Sequence, residues 1–240
     1  MRNICLIPAR GGSKRVPRKN ILDFYGKPLL SYTLEAAIQS KLFGRHIYVS
    51  SDSAAILNVA RRYSNQGVQA IERPKGISGD TATLEDAAIH LLKSIDLPFD
   101  HLCVLMPNFP LRIAADIRAS YRTFLRKRED CLMTTTEFNW LTPFWAMQER
   151  EGLIHFFFGR KYLVDSKALP KNIVALADAV RWVRVSSFLK ERKFHGKRVS
   201  MHLIPFERSI EIDDYKNLDL ARKLFPLVYP DASRTRPAKR

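Results

Sequence analysis

Short apolar runs alternate with helix-length amphipathic segments along most of the chain, and this alternation constrains the fold more than any other feature. Asn3–Pro8 is an apolar run ending at a turn, the pattern of a buried strand. Leu29–Ser40 has helical apolar spacing through Leu30, Leu34, Ala37 and Ile38. His46–Ser50 reads as the next strand, and Ser51-Asp52-Ser53 offers caps for a helix through Ile56, Leu57 and Ala60. A strand over Val68–Ile71, a helix over Thr83–Ser94 and a strand over Leu102–Leu105 continue the pattern. Pro107 and Pro110 stop that last strand; Ala114–Lys127 is helical and Cys131–Thr135 is β-rich. Further on, Ala179–Val185 and Met201–Pro205 read as strands and Tyr215–Phe225 as a final helix. The order predicts an α/β chain of three layers, a mostly parallel sheet with helices on both faces. In such sheets ligands bind beyond the carboxyl ends of the strands.

The pattern degrades between residues 138 and 178. Trp140, Pro143, Phe144, Trp145, Phe156-Phe157-Phe158 and Pro170 fall there. On composition alone the stretch is equally a small lobe or subunit contact, or a segment packed on the main sheet. Residues 1–226 are expected to form one domain and residues 227–240 a basic flexible tail. No uncharged stretch reaches the ~18 residues of a membrane helix, and the apolar start is cut by Pro8. A cytoplasmic protein is expected, with Cys5, Cys103 and Cys131 as buried free thiols in apolar runs.

The net charge is +16, and four segments account for it. Residues 118–130 and the tail 234–240 suit a solvated helix face and a chain end; residues 190–198 form a further basic run. Residues 10–27 do not fit that description, because their cations are interleaved with Gly, Pro and Asn in a turn. Clustered positive charge attracts polyanions or a small anionic substrate.

The run Arg10-Gly11-Gly12-Ser13-Lys14-Arg15-Val16-Pro17-Arg18-Lys19-Asn20 stands at the carboxyl end of the first strand. Gly lets backbone N–H groups approach phosphate oxygens, and Arg and Lys supply charge-assisted bonds to a polyphosphate. Neither G-x-x-x-x-G-K-[ST] nor G-x-G-x-x-G occurs, so P-loop ATPases and dinucleotide-binding dehydrogenases lose their main signal. Late in the chain, Glu211-Ile212-Asp213-Asp214 places Glu211 and Asp213 on one face of an extended segment. Two such carboxylates suit Mg²⁺, which takes one or two carboxylates plus phosphate oxygens. On spacing alone, Asp213 or Asp214 serves equally well as the cap of the last helix.

The run Ile7–Asn20 resembles the N-terminal signature of the acylneuraminate cytidylyltransferases. Further segments match that family in order: Lys27-Pro28-Leu29, Val49-Ser50-Ser51-Asp52, Arg73-Pro74 with Ser78-Gly79-Asp80-Thr81, Leu105–Arg112 and Ile210–Asp213. The resemblance spans roughly residues 3–225 and implies a Rossmann-like nucleotidyltransferase fold with a small dimerisation lobe over 138–178. It also implies a reaction: CMP passes from CTP to the anomeric hydroxyl of a 2-keto sugar acid, and pyrophosphate leaves. Sialic, legionaminic and pseudaminic acids and KDO are the acceptors such a family offers.

By that resemblance Lys14, Lys19 and Asp213 carry catalysis. Arg10, Gly11, Gly12, Ser13, Lys14, Lys19, Asn20, Arg73, Pro107 and Asn108 hold the nucleotide. Glu211 and Asp213 hold Mg²⁺, and Met106 and Arg112 meet the acceptor sugar. CTP, an acidic sugar and a second copy of the chain are the expected partners, with no nucleic acid and no membrane. Met106 stands where the family has Gln, Asn108 where it has Thr and Glu211 where it has Asp, and Ala179-Val180 occupies a turn that usually contains Gly. A thioether cannot donate the hydrogen bonds of an amide, so an unusual acceptor is expected. Two other readings are a nucleotidyltransferase for another acidic sugar and a silent nucleotide-binding relative.

Overall fold

The computed structural model describes residues 1–138, 142–196 and 198–233. Trp140, Lys197 and the basic residues 234–240 lie outside the described residues.

In chain order the elements are β1 Asn3–Pro8, β2 Asp23–Phe24, β3 Lys27–Pro28, α1 Leu29–Ser40, β4 Ile47–Ser51, α2 Ala54–Arg61, β5 Val68–Glu72, α3 Leu84–Lys93, β6 His101–Leu105, α4 Ala114–Lys127 and β7 Cys131–Glu137. Then follow β8 Met147–Arg150, β9 Leu153–Phe156, β10 Val174–Arg184, α5 Val185–Glu191, β11 Val199–Leu203, α6 Tyr215–Val228 and α7 Pro230–Ser233. Seven strands form the central sheet in the order β11-β7-β10-β6-β1-β4-β5. β6, β1, β4 and β5 run parallel, as does the β11–β7 pair, while β10 is antiparallel to both its neighbours.

The layers follow from side-chain alternation. Cys5 and Ile7 of β1, Ile47 and Val49 of β4, and Cys103 and Leu105 of β6 point to one face, where they meet Leu30, Leu34, Ile56, Val59, Ile117 and Phe124 of α1, α2 and α4. Ile4, Leu6, Tyr48, Leu102 and Val104 point to the other and meet Ala87, Ala88 and Leu91 of α3 and Phe188 of α5. Both faces are buried, which is why these strands read as continuous apolar runs. All three cysteines are buried free thiols.

Two sequence expectations are corrected here. The irregular region does not extend to residue 178. Val174–Asp178 belongs to β10, which pairs with β7 and shifts register between Leu176 and Arg181. Ahead of it, β8 and β9 form a separate hairpin. Its flanking aromatics pack on one another: Phe144 stacks on Tyr162 at 4.6 Å, and Trp145 Nε1 donates to the Tyr162 carbonyl. Leu153, Ile154, Phe157 and Phe158 remain exposed.

The domain also does not end at Pro226. α6 runs through that proline to Val228. Pro226 has no N–H to donate to the Arg222 carbonyl, the usual reason a helix stops. Here the Tyr25 hydroxyl supplies that bond at 2.7 Å. Tyr229, one turn beyond Phe225, packs on it and on Tyr32, and its hydroxyl donates to the Pro110 carbonyl.

Candidate active site

The carboxyl ends of β1 and β6 lie side by side in the sheet, and the loops leaving them enclose a cleft of about 420 Å³. Its walls come from the segment after β1 (Pro8, Arg10, Ser13, Lys14, Arg15, Val16, Lys19, Asn20), from Met106, Pro107 and Asn108 after β6, and from Glu211 and Asp213. The late segment reaches the cleft because Ile212 N–H donates to the Asn108 carbonyl at 2.8 Å while Ile210 and Ile212 are buried under α6. The intervening Glu211 and Asp213 therefore face out of that core. A larger groove of about 690 Å³ between α4 and edge strand β11 lies elsewhere and brings no pair of carboxylates together.

Charge is layered across the cleft. Lys19 is largely buried, and its Nζ donates to the Ile212 carbonyl at 2.6 Å and to Asp213 Oδ1 at 3.1 Å. Arg15 holds the other oxygen, Asp213 Oδ2, at 2.8 Å. Asn108 Nδ2 donates to Glu211 Oε1 at 2.9 Å and leans towards Asp213 Oδ1 at 3.4 Å. The two carboxylates have opposite fates. Glu211 is exposed on its outer side, yet partial desolvation pushes its pKa up, and neighbouring Asp213 adds to the rise against the Asn108 hydrogen bond. Partial burial works in the same direction on Asp213, but Lys19 and then Arg15 outweigh it, and its pKa falls.

The helix-cap question is settled by geometry. Asp214, not Asp213, caps α6: its Oδ1 accepts the Asn217 N–H at 2.8 Å. Asp213 is left to the cleft. Asn20 Oδ1 and Asn108 Oδ1 are buried acceptors with no partner among the described residues. Both residues line the cleft, so each offers a ligand an acceptor that the protein itself leaves unused.

Four residues expected at the site are not among those that line the cleft. Arg112 is fully buried, and its Nη1 donates to the carbonyls of Met106 and Ala179. It braces the floor under Met106 and does not meet a sugar in the cleft. Arg73 is also buried and ties to Ser50 at the end of β4 through Nε and Nη2. Gly11 does not line the cleft, and its N–H is already taken by Asp52 Oδ1 at 2.8 Å. A side chain at Gly11 would press on Ser53 Cβ at 3.0 Å, so the close approach of the loop to the start of α2 favours glycine there. Gly12 does not line the cleft either, and nothing crowds the space its side chain would fill.

Sequence reasoning gave no site role to Arg15, although it lay inside the basic run, or to Asp80, which it named only within the Ser78–Thr81 match. Arg10 Nη1 and Lys14 Nζ both reach the Asp80 carboxylate, at 3.2 and 2.6 Å.

Among the described residues, no group of three or more His, Cys, Asp and Glu could hold a metal unaided. The donor set that is present, two carboxylates beside a cationic loop, fits a hard cation that completes its shell with phosphate oxygens and water.

The sequence model of the cytidylyltransferase family matches residues 4–131. A pseudaminic acid cytidylyltransferase of Campylobacter jejuni is 32% identical over 97% of this chain and 100% of that one. An N-acylneuraminate cytidylyltransferase of Escherichia coli is 27% identical over 91% of this chain, which spans 51% of that protein. In three dimensions, a CMP:2-keto-3-deoxy-manno-octonic acid synthetase complexed with CTP superposes with TM-score 0.67 at 14% identity, covering 95% of this chain and 99% of that one. A 4-diphosphocytidyl-2C-methyl-D-erythritol synthase from Anaerococcus prevotii gives 0.64 at 12% identity over 93% and 98%.

Proposed function

The chain belongs to the cytidylyltransferase family, and on that premise we propose that it transfers CMP from CTP to the anomeric hydroxyl of a nonulosonic acid, with pseudaminic acid as the acceptor. One observation carries the reading: a single cleft gathers Arg10, Ser13, Lys14 and Lys19 with Met106–Asn108 and the Glu211–Asp213 pair, Lys19 bonding directly to Asp213. That arrangement suits a reaction whose reactants are all anionic. The full-length match to pseudaminic acid enzymes favours that acceptor.

In this reading Arg10, Ser13 and Lys14 bind the phosphates that leave, and Lys19 neutralises charge on the α-phosphate. The acceptor hydroxyl oxygen attacks the α-phosphorus in line and gives up its proton to solvent, the bond to the β-phosphate breaks, and pyrophosphate departs. Catalysis is mainly positioning and charge neutralisation. Lys19 is suited to it because its anchor on the Ile212 carbonyl fixes the ammonium before substrate arrives. Asn20 and Asn108 present their unused acceptors to the nucleotide. Glu211 and Asp213 would hold Mg²⁺, which when bound spreads the charge of the phosphates. Met106 gives the acceptor side of the cleft a thioether, matching an acceptor with an apolar group there.

We place the reaction in the cytoplasm, where CTP is supplied; no helix among the described residues is long and apolar enough to cross a membrane. Two copies pair through the β8–β9 hairpin, whose Leu153, Ile154, Phe157 and Phe158 form an exposed apolar group.

Steady-state pyrophosphate release with CTP and a panel of pseudaminate, N-acetylneuraminate, legionaminate and KDO tests the proposal. Pseudaminate should give the highest kcat/KM, and Met106→Gln should shift preference towards N-acetylneuraminate with KM for CTP little changed. A panel in which KDO leads by about tenfold or more would overturn the acceptor assignment.

A further inference from the structure

Two cations that line the cleft are already engaged by a carboxylate from outside it. Asp80 lies between β5 and α3 and is not part of the cleft wall. Its Oδ1 accepts from Arg10 Nη1 and its Oδ2 from Lys14 Nζ, one oxygen to each cation. The carboxylate is 61% exposed, so water competes freely for it. The surrounding turn is held by other groups: Ser78 Oγ donates to the Pro74 carbonyl, and Ala82 N–H to the Gly79 carbonyl. α3 is capped by Thr83 and Asp86 without Asp80. The side-chain hydrogen bonds of Asp80 thus go to the substrate-facing cations and not to its own loop. The Lys14 hydrogen bond and charge, with Arg10, hold its carboxyl below the usual range.

We propose that Asp80 is a specificity-determining competitor for Arg10 and Lys14, displaced by the β- and γ-phosphates of CTP and restored to both cations when pyrophosphate leaves. The inference rests on reading the cleft as a CTP site. A triphosphate carries enough charge to take both cations from one carboxylate. A CMP-sugar carries one phosphate, which is assigned to Lys19, so it leaves the Asp80 contacts intact. The competition therefore weakens CTP and pyrophosphate by a similar factor and leaves the monophosphate alone. Its effect on the cycle is to help expel the leaving group, because the cations that held pyrophosphate have an internal partner waiting.

Titration calorimetry at low ionic strength, with CTP, inorganic tripolyphosphate and CMP as ligands, tests this on the wild type, Asp80→Asn, Asp80→Ser and Asp80→Glu. Both neutral variants should bind CTP and tripolyphosphate about three- to tenfold more tightly, the scale set by two exposed ion pairs. CMP affinity should stay within about twofold, Asp80→Glu should resemble wild type, and the gain should shrink in ~0.5 M salt, where exposed pairs are screened. Tripolyphosphate affinity that is unchanged or lower in both neutral variants overturns the proposal, since Asp80 would then be idle or would help build the site. A wild type that ignores CTP, combined with tighter tripolyphosphate in the neutral variants, would sink the nucleotide reading and uphold the competition.

Discussion

Replacing Lys19 with Met keeps the length and apolar stem of the side chain and removes only the ammonium. The Lys19 side chain is 14% exposed, and its ammonium makes two bonds, to the Ile212 carbonyl at 2.6 Å and to Asp213 Oδ1 at 3.1 Å. A hydrogen bond involving a charged group contributes about 1.5–3 kcal/mol. The ion pair adds little more, because Asp213 is a third exposed and keeps Arg15, so about 0.5 kcal/mol is assigned to it. The expected loss is about 2–3.5 kcal/mol, or roughly 4–14 °C in Tm for a chain of this size. The pH dependence has a definite sign. Asp213 has a lowered pKa in the folded protein, so the stabilisation it draws from Lys19 is fully present above the ordinary Asp value of ~4 and is lost as pH falls through the folded value. The Tm gap between wild type and Lys19→Met should therefore be widest near neutrality and narrow in acid. Turnover at neutral pH should fall at least about a hundredfold, the usual cost of removing one positioned charge. Thermal melts from pH 3 to 8 and pyrophosphate release at pH 7.5 make the comparison. A variant that melts within about 1 °C of wild type throughout and keeps its turnover would refute the placement of Lys19 as the anchor of the site.

Three further outcomes are expected. Glu211→Gln removes an exposed but partly desolvated charge that neighbouring Asp213 repels, so the variant should keep wild-type stability at neutral pH while losing turnover; a clear drop in Tm would show that the Glu211 charge supports the fold. Tyr25→Phe should cost about 1 kcal/mol by orphaning the Arg222 carbonyl opposite Pro226, read by urea denaturation, and replacing Pro226 with Ala in the same chain should recover part of it. Leu153→Ser with Ile154→Ser should convert a dimer to a monomer in light scattering without lowering the Tm of the folded subunit, and an unchanged mass would exclude the hairpin as the subunit contact.

The strands were legible where burial on both faces writes a continuous apolar run. β1, α1 and α4 occupy the spans their spacing predicts. What spacing does not carry is direction and pairing partner. β10 inserts antiparallel between β6 and β7, and its first residues, Val174–Asp178, include an exposed Leu176 and a charged residue, so they do not read as sheet. Pro226 looked like a stop because the compensating hydroxyl of Tyr25 is about 200 residues away in sequence.

The cationic loop was legible because its glycines and charges are local. The roles of individual long basic side chains were not, since sequence does not say where a guanidinium ends. Arg112 ends inside the floor, Arg73 on the end of β4, and Arg15 on Asp213. Asp52 and Asp80 meet the loop only through tertiary folding.

The most direct test of the central claim is phosphorus NMR of CTP incubated with the protein, pseudaminate and Mg²⁺. The account predicts that the α-phosphorus signal of CTP is replaced by a phosphodiester signal in step with stoichiometric pyrophosphate, and only when acceptor is present. Orthophosphate with CDP, or a CTP spectrum unchanged by acceptor, would contradict it.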